Sequence, residues 1–339
     1  MKIKLSPEEK FTIDILFNNG SNYAKYKKLI DINKLVKFAS SHLILPLLYN
    51  KFERLNISKN HTFTFIKYLK EIYEINYNRN KELIIELKFI DKLFKKNKIS
   101  YTLMKGAALI ADEVFESPAE RMIGDIDLLV DTSHLRKAFD LLKFNGYNEI
   151  SKYQFFEPRH LKRLAHSKKL FAVELHSRCV ENKNILKPEV ILKNIKSSKN
   201  KLPIMEGIDI LNNIIYNLML NDYSSKNSNY SYRAFYDFYK VSKKYNIDLK
   251  NLEMDSDIKK FFIITNMLGV TNLSFNKDFY DKIYIYKFLT LNSSKLLFRI
   301  NIILNNYLEI LSKSPKKLKE FFTNKNYRLY LKEKLRKDY

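Results

Sequence analysis

Residues 121–130 read RMIGDIDLLV, and that stretch decides how the rest of the chain is understood. Ile126, Leu128, Leu129 and Val130 form an apolar, β-prone run, yet Asp125 and Asp127 are set into it just after Gly124. Asp is disfavoured in strands and is rarely buried without a partner. Residues two apart on a strand face the same way, so the two carboxylates stand side by side while Ile126 and Leu128 point to the other face. Adjacent like charges raise each other's pKa unless a cation lies between them. Mg²⁺ supplies such a charge, because it takes oxygen ligands and is held by one or two carboxylates plus substrate phosphates. Taken alone, D-x-D is a weak signal, and two solvated acids at a strand end, or acids that cap a turn, explain it more simply.

Two further stretches repeat or complement this pattern. In FAVELHSRC (171–179), Glu174, His176 and Arg178 alternate with Val173, Leu175 and Ser177. Three polar groups therefore share one face of a second β-prone run, which is either an ordinary half-exposed strand or the source of a third carboxylate for the same site. In MKGAAL (104–109), Lys105-Gly106 stands where a strand passes into a helix. Gly permits close backbone approach, a helix start offers free N–H groups, and Lys105 adds positive charge toward phosphate. The plain alternative is a strand-to-helix turn.

Outward from this centre the chain is helical. Ser6-Pro7-Glu8-Glu9 reads as a helix start, and Leu35, Phe38, Ala39, His42 and Leu43 keep helical spacing, as do Ile66, Leu69, Ile72 and Ile75. A long charged helix is expected over 80–97, strands over 99–104, 125–130, 147–153 and 171–179, and a helix from Thr132 or Ser133 to Phe144. The segment EPRHLKRLAHSKK (157–169) reads as a basic connection. From Lys187 onward helical periodicity dominates. The expected organisation is α+β: an N-terminal helical region (1–79), a core with a small mixed β-sheet (80–186) and a C-terminal helical region (187–339).

With 339 residues, 45% of them hydrophobic, the chain can bury a substantial interior. No segment is apolar for long enough to span a bilayer, the start MKIKLSPEEKFT has no signal-peptide core, and the one cysteine, Cys179, cannot form an internal disulfide. A cytoplasmic protein without membrane association is expected. The net charge of +24 fits a nucleic-acid partner, although the excess is carried by Lys rather than Arg and equally reflects a Lys-, Asn- and Ile-rich composition.

The order KGAAL, RMIGDIDLLV, Gly146-Tyr147, VELH resembles nucleotidyltransferase family 5, a little-characterised bacterial group of the polymerase-β-like nucleotidyltransferase superfamily. LVKFASSHLILPLLYNKF (35–52) resembles the helical lead-in of that group, and the likeness extends from about 35 to 180. The chain departs from the wider superfamily in having Lys105-Gly106 where Gly-Ser or Gly-Gly is usual, and Ser177 where an aromatic residue often follows the E-L-H strand. YSYRAFYDFYK (230–240) resembles a helix with a functional Arg and Asp, but Asn217 and Asn221 stand where a histidine belongs upstream. There Arg233 and Asp237 also suit a plain i,i+4 pair.

The resemblance implies a nucleotidyltransferase core and a metal-dependent enzyme that moves a nucleoside monophosphate from an NTP, ATP among them, to an acceptor hydroxyl with release of pyrophosphate. It implies Asp125, Asp127 and Glu174 as catalytic ligands of two Mg²⁺ ions, with Mn²⁺ as a substitute. Lys105, Gly106 and Arg121 are the candidates for nucleotide binding; Arg121 either neutralises developing charge or braces the loop through a salt bridge. His176 is an accessory candidate that either orients a ligand or serves structure. The acceptor is tRNA or another RNA, a protein, or a small molecule, and the basic segment carrying Arg159, Lys162, Arg163, Lys168 and Lys169 is where RNA phosphates would bind. The competing reading is a catalytically inactive or non-enzymatic basic scaffold that binds nucleic acid.

Overall fold

The computed structural model describes residues 3–150, 159–182, 184–222, 224–325 and 327–328. The N-terminal part holds helices α1 (Pro7–Phe17), α2 (Tyr23–Lys27), α3 (Ile32–Ser41), α4 (Leu45–Arg54) and α5 (Phe63–Lys96). Helix α1 starts as its sequence requires. The Ser6 hydroxyl accepts from the Glu9 amide, and the Glu9 carboxylate accepts from the Ser6 amide. The apolar stripes of these helices close over Phe11, Leu35, Leu48, Phe52 and Leu69, all fully buried.

Helix α5 runs unbroken for 34 residues, because neither Gly nor Pro interrupts it. The periodic stretch at 66–75 and the helix expected over 80–97 are therefore one element, and the expected boundary at 79/80 falls inside it.

After α5 the chain alternates: β1 (Tyr101–Leu103), α6 (Lys105–Ala111), β2 (Asp125–Val130), α7 (Leu135–Phe144), β3 (Tyr147–Glu149), β4 (Leu164–His166) and β5 (Ala172–His176). Next come α8 (Pro188–Ile191), β6 (Lys196–Ser197) and β7 (Pro203–Ile204). Among the described residues seven strands form one mixed sheet in the order β3-β4-β5-β2-β1-β7-β6, so the chain is the α+β protein expected, with helical flanks at both ends. Strand β2 is central, antiparallel to β1 and parallel to β5, and Ile126, Leu128, Leu129 and Val130 are completely buried. The sheet extends beyond residue 186, because β7 adds to β1 in parallel and carries β6 with it. Strand β4 lies within the segment read as a basic connection; three residues flanked by cations leave no periodicity to detect. Residues 151–153 of the expected third strand, and 157–158 of the basic segment, lie outside the described residues.

The C-terminal part comprises α9 (Gly207–Tyr216), α10 (Ser224–Asn227), α11 (Tyr232–Lys244), α12 (Ser256–Met267), α13 (Phe279–Ser293) and α14 (Lys295–Thr323). A π-helical turn, Asn217–Asn221, continues α9. Among the described residues no helix is long and apolar enough to cross a membrane.

One titratable group in the N-terminal bundle gives a pH prediction. The His61 ring stacks on Phe52 at 4.9 Å, meets Phe11 and Phe65 edge-on, and shares a hydrogen bond of 3.0 Å between its Nε2 and the Tyr23 hydroxyl. Burial lowers its pKa from 6.5 to about 4. The folded state thus favours the neutral ring, and below pH 6.5 the unfolded chain takes up the proton first. Stability from this site is complete above pH 6.5 and declines as pH falls toward 4, by about 1 kcal/mol after allowance for partial exposure. His61→Phe is therefore expected to lose less of its melting temperature between pH 7.5 and pH 5 than the natural protein. An equal loss in both proteins would show that His61 is not a source of the acid sensitivity.

Candidate active site

The parallel pairing of β2 with β5 builds the site. Its register sets Asp127 opposite Glu174 and Leu129 opposite His176. Residues at one level of a parallel pair share a face, so Asp125, Asp127, Glu174 and His176 all project from the same side of the sheet. The apolar partners Ile126, Leu128, Val173 and Leu175 fill the other side and are buried. Hydrophobic burial of one face thus delivers the acids to the opposite face.

Asp127 is 3% exposed and lies at the centre of the cluster. Its Oδ1 accepts from the Lys105 ammonium at 2.5 Å and from His176 Nε2 at 2.7 Å. Burial alone would push this carboxyl up, but the Lys105 charge and the His176 hydrogen bond outweigh it and hold the group well below the usual carboxylate range. His176 Nε2 also lies 3.4 Å from Glu174 Oε2, and His160 Nε2 lies 3.9 Å from the same oxygen. Burial opposes ionisation of Glu174, whereas the His176 hydrogen bond and nearby His160 favour it, and the net result is a lowered pKa. Asp125 behaves differently. Its Oδ2 accepts from Arg163 Nη2 at 2.9 Å, but burial, Asp127 and Glu174 together raise its pKa.

Asp127, Glu174 and His176 each place a ligand atom within 4.8 Å of the others, and these three residues are able to hold a metal ion. This set differs from the expected trio in bringing in His176 and leaving Asp125 beside it. Two carboxylates and an imidazole fit a divalent cation: the oxygens suit Mg²⁺, and the ring nitrogen extends the range to Mn²⁺ and its neighbours. Among the described residues the buried Nδ1 of His176 has no hydrogen-bond partner, and Nε2 is the ring nitrogen that meets the acids.

Lys105 occupies the left-handed region at φ +48°, where residues other than Gly are uncommon, and from there its side chain reaches back to Asp127. Gly106 does not supply the turn's unusual dihedral. It lies buried in the first turn of α6, where an added Cβ would come within 3.1 Å of Ile123 Cγ1. Its smallness serves the packing of α6 against the segment that leads into β2.

That segment is clamped from three sides. Asn76 and Asn80 of α5 donate to the carbonyls of Pro118, Ala119 and Arg121 at 2.5–3.1 Å. Asn50 of α4 and the Tyr236 hydroxyl of α11 each donate to the Glu120 carboxylate, at 2.9 and 3.0 Å. Arg121 Nε donates to both oxygens of Asp237, at 3.0 and 2.8 Å, and both residues are buried. Asp237 therefore joins the C-terminal helix α11 to the strand that carries Asp125 and Asp127. Beside it, Arg121 lowers the pKa of Arg233 to about 10, with burial adding to the effect, while Asp237, Asp222 and Asp125 oppose it.

Sequence reasoning did not foresee Arg163 at the acids, Asp237 as the partner of Arg121, or the clamp by Asn76 and Asn80. Asn76 and Asn80 did carry a signal: they are amides, four residues apart and buried, on a helix whose other inward positions are mostly apolar. The basic segment is largely engaged internally. Arg159 Nη1 donates to the Cys179 carbonyl, Lys162 pairs with Glu149 and Arg163 pairs with Asp125. Cys179 is buried, which raises its thiol pKa to about 12, and it lies outside the metal-competent set.

A family model described as an uncharacterised nucleotidyltransferase matches residues 28–260 of the chain. No curated protein matches it.

Proposed function

The chain belongs to this family of uncharacterised nucleotidyltransferases and is therefore a transferase; from that premise we propose that it is a divalent-metal-dependent enzyme that transfers a nucleoside monophosphate from an NTP to an acceptor hydroxyl. The acceptor oxygen forms a bond to the α-phosphorus, the bond from that phosphorus to the bridging oxygen breaks, and pyrophosphate leaves. The observation that carries the reading is the register that sets Asp127 beside Glu174, with Asp125 on the same face.

Asp127, Glu174 and His176 would hold the metal, with Asp125 as a further carboxylate for a second ion. A bound divalent ion in such a site neutralises phosphate charge and makes an acceptor hydroxyl easier to deprotonate. The chain's own cations bind the triphosphate. Lys105 neutralises Asp127 and turns toward phosphate on its flexible arm, and Arg163, just ahead of β4, and Arg233, on α11, flank the acids. Arg121 acts through Asp237, by fixing the approach to β2. ATP is the first donor to test, and RNA, protein and small hydroxyl compounds are the acceptor classes.

The direct experiment incubates the protein with each α-labelled NTP, Mg²⁺ or Mn²⁺, and separately RNA, total protein or small hydroxyl metabolites. Label on one acceptor, abolished by EDTA, is the expected result; label on none with any metal would overturn the reading. His176→Gln is expected to lower transfer by about 10- to 100-fold, as for loss of one metal-orienting group, and to change the ratio of Mn²⁺- to Mg²⁺-supported rates. An unchanged ratio at full rate would remove His176 from the metal set.

A further inference from the structure

A second charged feature lies away from the acids. Between the end of α4 and the last turns of α11 there is a cavity of 360 Å³, lined by Lys51, Arg54, Lys240 and Lys243, with Glu116 and Tyr239 among its other walls. We propose that this cavity is a phosphate-binding site, which takes a multiply charged phosphate group carried on a free phosphorylated molecule or on an RNA. The proposal does not depend on the chemistry at Asp127.

Four cations face one carboxylate there. Glu116 is shared between Arg54 and Lys240, the latter at 3.0 Å, so its single charge is already divided. The Lys51 ammonium lies over the Tyr236 ring at 5.6 Å, and that of Lys243 lies over the Tyr239 ring at 5.8 Å. Glu120, the other nearby acid, already accepts from Asn50, Tyr236 and the Ser117 amide. Lys51 and Lys240 both have lowered pKa values, first through burial, and Arg54 lowers them further, while Glu120 partly compensates. Such a group of cations costs free energy to hold together until a polyanion fills it, and the volume falls within the range of small-ligand sites. The ring of Tyr239 gives a flat wall for the group that carries the phosphate. On α11, Lys240 follows Arg233 by seven residues, a rise of about 10 Å, so this cavity is separate from the carboxylate cluster.

The test uses the full chain with EDTA present, so that metal-mediated binding at the acids is absent. Calorimetry measures inorganic pyrophosphate, and fluorescence anisotropy measures a short single-stranded RNA with and without a 5′-phosphate. Lys51→Ala/Lys243→Ala is expected to weaken binding by about 10- to 100-fold, as for loss of two charge-assisted contacts, and Asp127→Asn, which removes no cation, is expected not to weaken it. Should the double variant fail to fold, Lys243→Ala, at an exposed position, decides with an expected loss of about fivefold. A loss seen with pyrophosphate alone assigns the site to a free phosphorylated molecule, and a loss seen with RNA assigns it to a nucleic-acid phosphate. Equal binding by the natural protein and Lys243→Ala, no binding of any probe, or a loss confined to Asp127→Asn would overturn the proposal.

Discussion

Replacing Asp127 by Ala is expected to reduce nucleotidyl transfer by about a thousandfold or more, the equivalent of about 4 kcal/mol in the barrier. Asp127 contacts both Lys105 and His176, and its strand partner is Glu174. Its removal would take a carboxylate from the metal set and leave a lysine facing an imidazole. Lys105 retains a route to solvent, with its side chain 24% exposed, whereas His176 is fully buried and would lose its nearer acceptor, keeping only Glu174 Oε2 at 3.4 Å. A stability cost of about 1–3 kcal/mol should accompany the loss, so rates must be normalised to folded protein. Asp127→Asn keeps shape and a hydrogen-bond acceptor while removing the charge. If that variant retained more than a tenth of the natural rate, the carboxylate cluster would not be the catalytic centre.

The second large effect is on stability. Arg121→Ala is expected to cost about 3–5 kcal/mol, the range for breaking a buried ion pair by removing one partner. Burial raises the pKa of Asp237 and the charges of Arg121 and Arg233 counter it, so removal of Arg121 takes away the nearer cation and both hydrogen bonds to a buried carboxylate. Arg121→Met/Asp237→Leu should recover most of the loss, because neither charge is then stranded. Urea denaturation of the two single variants and the double variant measures this directly. A cost below about 1 kcal/mol for Arg121→Ala would mean that the pair does not clamp α11 to the entry of β2.

What could be read from the sequence followed from periodicity, and what could not came from contacts distant along the chain. The period of two in DIDLLV and AVELH separates a polar from an apolar face on each strand, whereas the joining of Asp125, Asp127 and Glu174 in one site is what the family resemblance implies. The pairing of β2 directly with β5 is a tertiary fact, and it gives His176 its place beside Asp127. Arg121 and Asp237 are 116 residues apart, and nothing local to either reveals the other. The i,i+4 spacing of Arg233 and Asp237 suggests a local pair, and the two charges do support each other, but the hydrogen bonds to the Asp237 carboxylate come from Arg121. Lys105 illustrates a different limit. Its dipeptide with Gly106 announces a turn, but the sequence does not show that the lysine adopts the left-handed backbone while the glycine makes room for Ile123.

The pairing of β2 with β5 also carries a parity rule. Successive side chains of a strand alternate between faces, so a shift of β5 by one residue against β2 would swap Glu174 and His176 for Val173 and Leu175. The loops on either side can grow or shrink by any number of residues without touching the chemistry. Within 171–176, however, a single inserted or deleted residue would turn the site inside out, and a second one would restore it. Length variation among functional relatives should therefore spare this strand or come in pairs.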